Sequence, residues 1–396
     1  MRRILALCCI AAVVAACSGD DDDAGVVAEP TTAVADGVTT STGANGEARG
    51  AIVFNGQGND LAAYEAAAPF TKQIVIPHYD EESQPDGLDI NGQICFDPDN
   101  PRRFVAGEDT LQTTTGEPGW GIFELEGDRV GELSATQVGK LVPTYQPSVD
   151  NAENYGCGFL PDGRIVTTDI GNQAEGPGDG QLIVWFPPFD SFDVAYCKVD
   201  VDLVTGQGVL VDGGYVYVAE ARSAGIFRYQ IDALPTSPEP AGGCDGADTT
   251  GAPMASGIEG EPFIVPSPDN AIATPNAIAK GSDGQLYVTS VFNGVIAEFD
   301  ADGNYVRTIL QPPAGETLGA QPFSTGTPLG IGVGPDGSIY YADIGIVVDD
   351  GIGPGRGTGK VRRIAFGADG EPLPPEEMDS GLAFPDGIGV WVPPPE

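Results

Sequence analysis

The chain has 396 residues, of which 18 are Lys or Arg and 58 are Asp or Glu, so its formal net charge is −40. A charge of this size and sign opposes binding to nucleic acid or to anionic lipid and attracts cations. Alternatively, the charge is an adaptation to high salt. With 41% hydrophobic residues, the chain can build a substantial core, as one large all-β domain or two domains of average size.

The first residues have the pattern of an export signal. Arg2 and Arg3 precede the apolar run ILALCCIAAVVAA, which is too short to span a bilayer as a folded helix. The run ends in Val-Ala-Ala-Cys at 14–17, which resembles the lipobox of bacterial lipoproteins. That resemblance implies a signal peptide at 1–16 and a lipidated Cys17 that anchors the exported protein to the bacterial cell membrane. An ordinary secretory signal cut nearby is the alternative.

The next segment, residues 17–48, is acidic and rich in Thr, Gly and Ala, with no aromatic residue. This composition predicts a disordered, solvated tether between the lipid and the domain. From Ala51 onward, short β-branched and aromatic runs alternate with Gly, Pro and Asp turns, which predicts strands in a folded domain at 49–396. Strands are expected at 51–56 and 72–79, and a short helix at 61–68 (LAAYEAAA).

A strand–turn–strand pattern then recurs along the chain. The copies lie at 85–109, 154–169, 206–220, 275–290 and 328–343, and a further copy begins at 385–391. Each complete copy continues into a third apolar run, and a strand repeat with a step of roughly 50–70 residues predicts a β-propeller or a similar array. The last copy ends after its first strand. We therefore predict an all-β, six-bladed β-propeller in which the N-terminal strands close the last blade.

Four cysteines remain beyond the export signal, and they lack the CxxC spacing of a zinc site. They are Cys95, Cys157, Cys197 and Cys244. An even number in an oxidising compartment predicts disulfides, with three pairings open. Cys95 and Cys157 fall at nearly equivalent places in neighbouring copies, and Cys197 and Cys244 flank the third copy, so these two pairs are favoured.

Three phrases, PNAIA (275–279), SVFNGVIAEFDADG (290–303) and PDGIGVW (385–391), resemble repeats of the SMP-30/gluconolactonase/NHL superfamily of six-bladed propellers. The similarity covers most of residues 85–391. In the lactonase branch a divalent cation, often calcium, is held at the central channel by a Glu, an Asn and an Asp. The resemblance implies Asn276 and Asp386 for the last two, with Asp86 replacing the Glu. The family's Asp follows its Asn by one blade, where this chain has Leu329.

The same residues stand out for a physical reason, because the second residue of each copy begins an inner strand at the channel mouth. Six residues are therefore expected to converge there: Asp86, Tyr155, Gln207, Asn276, Leu329 and Asp386. Carboxylates and amides are the hard oxygen ligands that calcium takes. Alternatively, Asp86 and Asp386 begin turns after Pro and Asn276 caps one. The second strands end in acids that form an acidic rim or lie in solvated turns: Glu108, Asp169, Glu220 and Asp343.

Two functions fit these features. The first is an exported propeller that binds a small molecule, a sugar or a protein at its channel face, with contact to the membrane through the lipid only. The alternative is a metal-dependent hydrolase of lactones or esters, in which the cation activates water and Asp386 acts as general base. The single histidine, His78, is predicted to be structural, on a closing strand.

Overall fold

The computed structural model describes residues 50–57, 60–110, 119–142, 154–170, 180–203, 205–221, 225–248, 251–349 and 351–394. The predicted signal peptide, Cys17 and the tether at 17–48 lie outside these residues. No helix within the described ranges is long and apolar enough to cross a membrane.

The described residues form a ring of six antiparallel sheets, so the predicted six-bladed β-propeller is confirmed. The chain enters through three strands, β1 (Ile52–Gln57), β2 (Asp60–Glu65) and β3 (Lys72–Ile76). Its last strand, at 385–391, pairs with β1, so the chain's two ends build blade six together. This pairing closes the ring of blades.

The remaining strands follow in chain order, four to a blade apart from the additions noted below. Blade one has β4 (Ile90–Phe96), β5 (Arg103–Glu108), β6 (Gly119–Glu126) and β7 (Ser134–Leu141). Blade two has β8 (Asn154–Phe159), β9 (Ile165–Asp169), β10 (Gly180–Trp185) and β11 (Tyr196–Leu203). Blade three begins with β12 (Gly206–Asp212), β13 (Tyr215–Glu220) and β14 (Gly225–Gln230).

An insertion interrupts blade three before its last strand. It holds two 3₁₀ turns, Ile231–Ala233 and Pro240–Gly242, and the short strands β15 (Gly246–Ala247) and β16 (Pro253–Met254), which extend the sheet of blade two. Blade three then closes with β17 (Glu261–Ile264). Blade four has β18 (Pro275–Lys280), β19 (Leu286–Ser290), β20 (Val295–Phe299) and β21 (Tyr305–Leu310).

Blade five carries a hairpin between its second and third strands. Its elements are β22 (Pro328–Val333), β23 (Ile339–Asp343), the hairpin β24 (Ile346–Val348) and β25 (Ile352–Pro354), β26 (Gly359–Ile364) and β27 (Glu376–Leu382). The inner strand of blade six is β28 (Pro385–Trp391).

The helix predicted at 61–68 is wrong, because Asp60–Glu65 is the middle strand β2. Leu61, Ala62, Ala63 and Tyr64 are all fully buried. The alanine-rich composition favours a helix, but this segment pairs with β1 on one side and β3 on the other. Burial on both faces in the middle of a blade outweighs that intrinsic propensity.

Both favoured disulfides are present. Cys95–Cys157 joins the inner strands of blades one and two, with 5.9 Å between the Cα atoms. Cys197–Cys244 ties β11 to the insertion in blade three, also with 5.9 Å between the Cα atoms. The two bridges therefore hold the first three blades together.

Candidate functional site

The inner strands meet around the channel, and a shared irregularity turns their second residues toward it. In blades two to five, the pairing of the inner strand with the second strand shifts register after the first residue. Such β-bulges re-aim the side chain that follows. The predicted second residues of blades two to six are all buried: Tyr155, Gln207, Asn276, Leu329 and Asp386.

Blade one departs from the prediction. Asp86 is exposed and lies in the turn ahead of β4, where the Gly87 N–H donates to the carbonyl oxygen of Gln84. The residue that meets the channel is Gly92, whose N–H donates to Oδ2 of Asp386 at 2.8 Å. Gly92 has a φ of 63°, which a glycine adopts at little cost. Asp86 and Asp386 therefore do not come together at the channel.

Hydrogen bonds link three of the other blades around the channel. The Tyr155 hydroxyl donates to Oδ1 of Asn276 at 3.1 Å. Nδ2 of Asn276 in turn donates to Oε1 of Gln207 at 3.0 Å. Asn276 is thus neither an exposed turn cap nor a free ligand, since both ends of its amide are engaged inside the protein.

Asp386 is the one carboxyl group among these second residues. Burial raises its pKa to about 6, and the hydrogen bond from the Gly92 N–H and the nearby Tyr155 hydroxyl partly oppose the rise. Burial and the Asp386 charge hold the pKa of Tyr155 well above its ordinary value. Oδ1 of Asp386 is buried without a hydrogen-bond partner among the described residues. Ionised, this oxygen can accept a further hydrogen bond. We call Gly92 and the five buried second residues the channel layer.

Gln93 is the next residue along β4, and its side chain connects the inner strands of three blades. Its Oε1 accepts hydrogen bonds from the N–H groups of Val209 and Cys157, at 2.8 and 3.4 Å. Its Nε2 donates to the carbonyl oxygen of Val209 at 2.7 Å. One side chain therefore bridges the inner strands of blades one, two and three.

An apolar cluster covers the same residues from the side where the inner strands begin. We call it the channel-mouth cluster. Its buried members are Tyr155, Ile170, Val291, Leu329, Ile344 and Ile346. Phe292, Leu318, Ile352 and Phe384 pack against it. Tyr155 and Ile170 belong to blade two, whereas Leu329 and Ile344 belong to blade five on the opposite side of the ring. Side chains of opposite blades meet only over the central axis, so this cluster lies across the mouth.

The acidic ends of the second strands are neither a rim nor solvated turns, because all four are buried. Oδ1 of Asp343 accepts the N–H of Thr327, directly ahead of β22, at 2.8 Å. Glu220 accepts the N–H of Thr205, ahead of β12, in the same way. These carboxylates therefore fix the connections that lead into the inner strands. Two of them also pair with buried cations, Glu108 with Lys140 and Asp343 with Arg362.

Asp109 is a polar residue near the mouth that the sequence analysis missed. Its carboxylate accepts hydrogen bonds from Asn154, at 2.6 Å, and from Asn91. Burial raises its pKa to about 7. It follows Glu108 at the end of β5, and only its place after a second strand could have signalled it.

His78 lies outside this region. It follows β3 rather than lying on it, its side chain is half exposed, and its Nδ1 lies 3.5 Å from Oδ1 of Asp60. The prediction that His78 lies on a closing strand is therefore wrong, because the strand ends at Ile76.

The second residues do not make up a calcium site in this arrangement. Calcium takes six to eight oxygen ligands, but the layer offers one carboxylate, and the amide oxygens of Asn276 and Gln207 already accept hydrogen bonds. Within the described ranges, no group of three or more His, Cys, Asp or Glu side chains is placed to hold a metal.

No family model matches the chain, and no curated protein matches it. Among solved structures, a chain of the nidogen/laminin complex is 13% identical, with a TM-score of 0.51, and the match covers 86% of this chain and 98% of that one. A luciferin-regenerating enzyme is 13% identical with a TM-score of 0.48, over 84% and 86% of the two chains. A calcium-binding protein, regucalcin, from Agrobacterium tumefaciens is 13% identical with a TM-score of 0.43, over 72% and 74%. At such identities the likeness shows the propeller fold alone.

Proposed function

We propose that this protein is a ligand-binding propeller that takes a small molecule, or a projecting group of a partner molecule, at its channel face. The observation that carries the proposal is Oδ1 of Asp386, buried without a partner among the described residues. Leaving a buried polar atom unpaired costs about 1–3 kcal/mol. Such an atom has a use where a ligand supplies the missing partner.

The test is a thermal-shift screen of sugars, lactones, amines and peptides on the wild-type protein and three variants. Asp386→Asn and Tyr155→Phe alter the channel layer, whereas Asp283→Asn alters an exposed turn at the other end of an inner strand. We expect a stabilising ligand to lose its effect in the two channel variants and to keep it in Asp283→Asn. A ligand that stabilises all four proteins equally would place its site elsewhere.

The second candidate is a metal-dependent lactone or ester hydrolase. The observation that favours it is the pKa of Asp386, about 6, which is near the value that suits a general base at neutral pH. The engaged amides of Asn276 and Gln207 count against its cation. We therefore expect calorimetry to detect no calcium binding, and lactone hydrolysis to be absent with or without chelator. Calcium binding together with chelator-sensitive hydrolysis that Asp386→Ala abolishes would establish the enzyme instead.

We also propose export and lipid anchoring, from the Val-Ala-Ala-Cys sequence at 14–17. A single lipid-modified cysteine after a solvated tether would hold the propeller at the cell surface. Cys17→Ala should move the protein from the membrane fraction to the soluble fraction. Membrane retention of that variant would show that something other than Cys17 is the anchor.

A further inference from the structure

If the channel face binds a ligand as proposed, the hydrogen-bonding groups around Asp386 indicate which chemical class of ligand fits there. Oδ1 of Asp386 lacks a hydrogen-bond donor among the described residues. The Tyr155 hydroxyl, which donates to Asn276, and Nδ2 of Asn276, which donates to Gln207, have acceptors inside the protein. The Gly92 N–H is taken by the other oxygen of the same carboxylate. A ligand that carries an N–H or O–H group would supply the missing donor.

No cation of the protein is seen to serve Asp386. The buried cations that the structure describes each pair with another carboxylate. These pairs are Lys140–Glu108, Arg164–Asp162, Lys198–Asp248 and Arg362–Asp343. Since the chain's net charge is −40, its field attracts cations and repels anions. A carboxylate or phosphate ligand would meet repulsion from Asp386 as well as from the whole protein.

The surroundings of the carboxyl group are apolar on the side of the mouth. Tyr155 and Leu329 belong both to the second residues at the channel and to the channel-mouth cluster, so a ligand bound at Asp386 would pack against that cluster. A sugar would bury hydroxyl groups against these side chains without partners, which is unfavourable. An apolar body would instead replace the contacts that these side chains make with one another.

We propose that the channel-mouth site binds an organic ammonium ion with an apolar body, its N–H donating to Oδ1 of Asp386 and its body packing within the channel-mouth cluster. The ring of Tyr155, which belongs to the same cluster, adds an aromatic surface that suits a cation. Entry requires the hairpin β24–β25 to shift, because its Ile346 is a buried member of the cluster and its Ile352 packs against that cluster. The hairpin forms a sheet of its own, and the Val348 N–H ties it to Gly319 at 2.7 Å.

The test is calorimetry with three sets of matched probes: arylalkylammonium ions from benzylammonium to 4-phenylbutylammonium, the corresponding alcohols, and the corresponding carboxylates. We expect at least one ammonium ion to bind, its alcohol to bind more weakly by tenfold or more, and its carboxylate not to bind. Removing the charge in Asp386→Asn should weaken ammonium binding on the order of 10- to 100-fold, the range for a hydrogen bond to a charged group. The exposed control Asp283→Asn should leave it unchanged.

Alcohols that bind as well as the ammonium ions, or an Asp386→Asn variant with unchanged affinity, would overturn the inference. If Asp386→Asn does not fold, the comparison of the three probe sets on the wild-type protein decides. The inference and the proposed function fail separately. A sugar or lactone whose stabilising effect depends on Asp386 and Tyr155 would overturn the ammonium ligand but retain the channel face. If no ligand of any class depends on those residues, both the ammonium ligand and the proposed function are wrong.

Discussion

Replacing Asp386 by Asn should remove a pH-dependent part of the stability that has a defined sign and size. The pKa of Asp386 rises from its ordinary value of 3.8 to about 6 in the folded protein, chiefly through burial. At ~1.36 kcal/mol per pKa unit this rise corresponds to about 3 kcal/mol. Because the folded state binds the proton more tightly, that contribution to the free energy of unfolding is complete below pH ~3.8 and is lost as the pH rises through about 6.

The measurement is urea unfolding, followed by tryptophan fluorescence, at several pH values from 4 to 8 on the wild-type protein and on Asp386→Asn. Between the lowest and highest pH, the wild-type free energy of unfolding should fall by about 2.5 kcal/mol more than that of the variant, because a small part of the contribution is already lost at pH 4. The raised pKa of Asp109 is present in both proteins, so its effect drops out of the difference. Asp283→Asn should follow the wild-type curve. Parallel curves for the wild type and Asp386→Asn would refute the argument that burial raises the pKa of Asp386.

Three further predictions concern stability. Replacing both Cys95 and Cys157 by Ala should lower the free energy of unfolding by about 4 kcal/mol, because the bridge no longer restricts a loop whose ends are 62 residues apart in the unfolded chain. A dithiol should then destabilise this variant less than it destabilises the wild type. Lys140→Met should lower the free energy of unfolding by about 3–5 kcal/mol, because it leaves the charge of the fully buried Glu108 uncompensated. Adding Glu108→Gln should restore most of that stability. No recovery in the double variant would contradict the ion-pair explanation. Phe54→Ala should lower the free energy of unfolding by about 3–5 kcal/mol, because it leaves a cavity where β1 pairs with β28 in blade six. A change below about 1 kcal/mol in urea unfolding would argue against closure of the ring by β1.

The sequence indicated the blades well because their determinants are local. A blade strand needs only a short apolar run and a turn, and the Asp-Gly pairs such as Asp283-Gly284 mark those turns directly. The closing strands β1 and β3 were predicted because the last copy was incomplete. The intervening strand β2 was missed because alanine favours a helix when its burial is unknown.

The channel layer was predicted less completely. The repeat placed five of its second residues at the mouth, but the Pro-Asp-Gly at 85–87 resembles that at 385–387 and suggested Asp86 for blade one. The structure uses Gly92 there, after a shift in register within β4. A bulge of this kind depends on how β4 packs against β28 and β8, which no local pattern records.

By itself, then, the sequence determined the repeat, the three inner strands of each complete copy with their turns, and the circular closure, since each follows from hydrophobic pattern and turn chemistry within a few residues. Only the tertiary structure decided what lies at the channel. The Tyr155–Asn276 bond joins residues 121 apart in sequence, and the Gly92–Asp386 bond joins residues 294 apart. Such pairs exist only once the ring has closed. In the closed ring Asp386 is buried, and one of its carboxylate oxygens has no partner among the described residues.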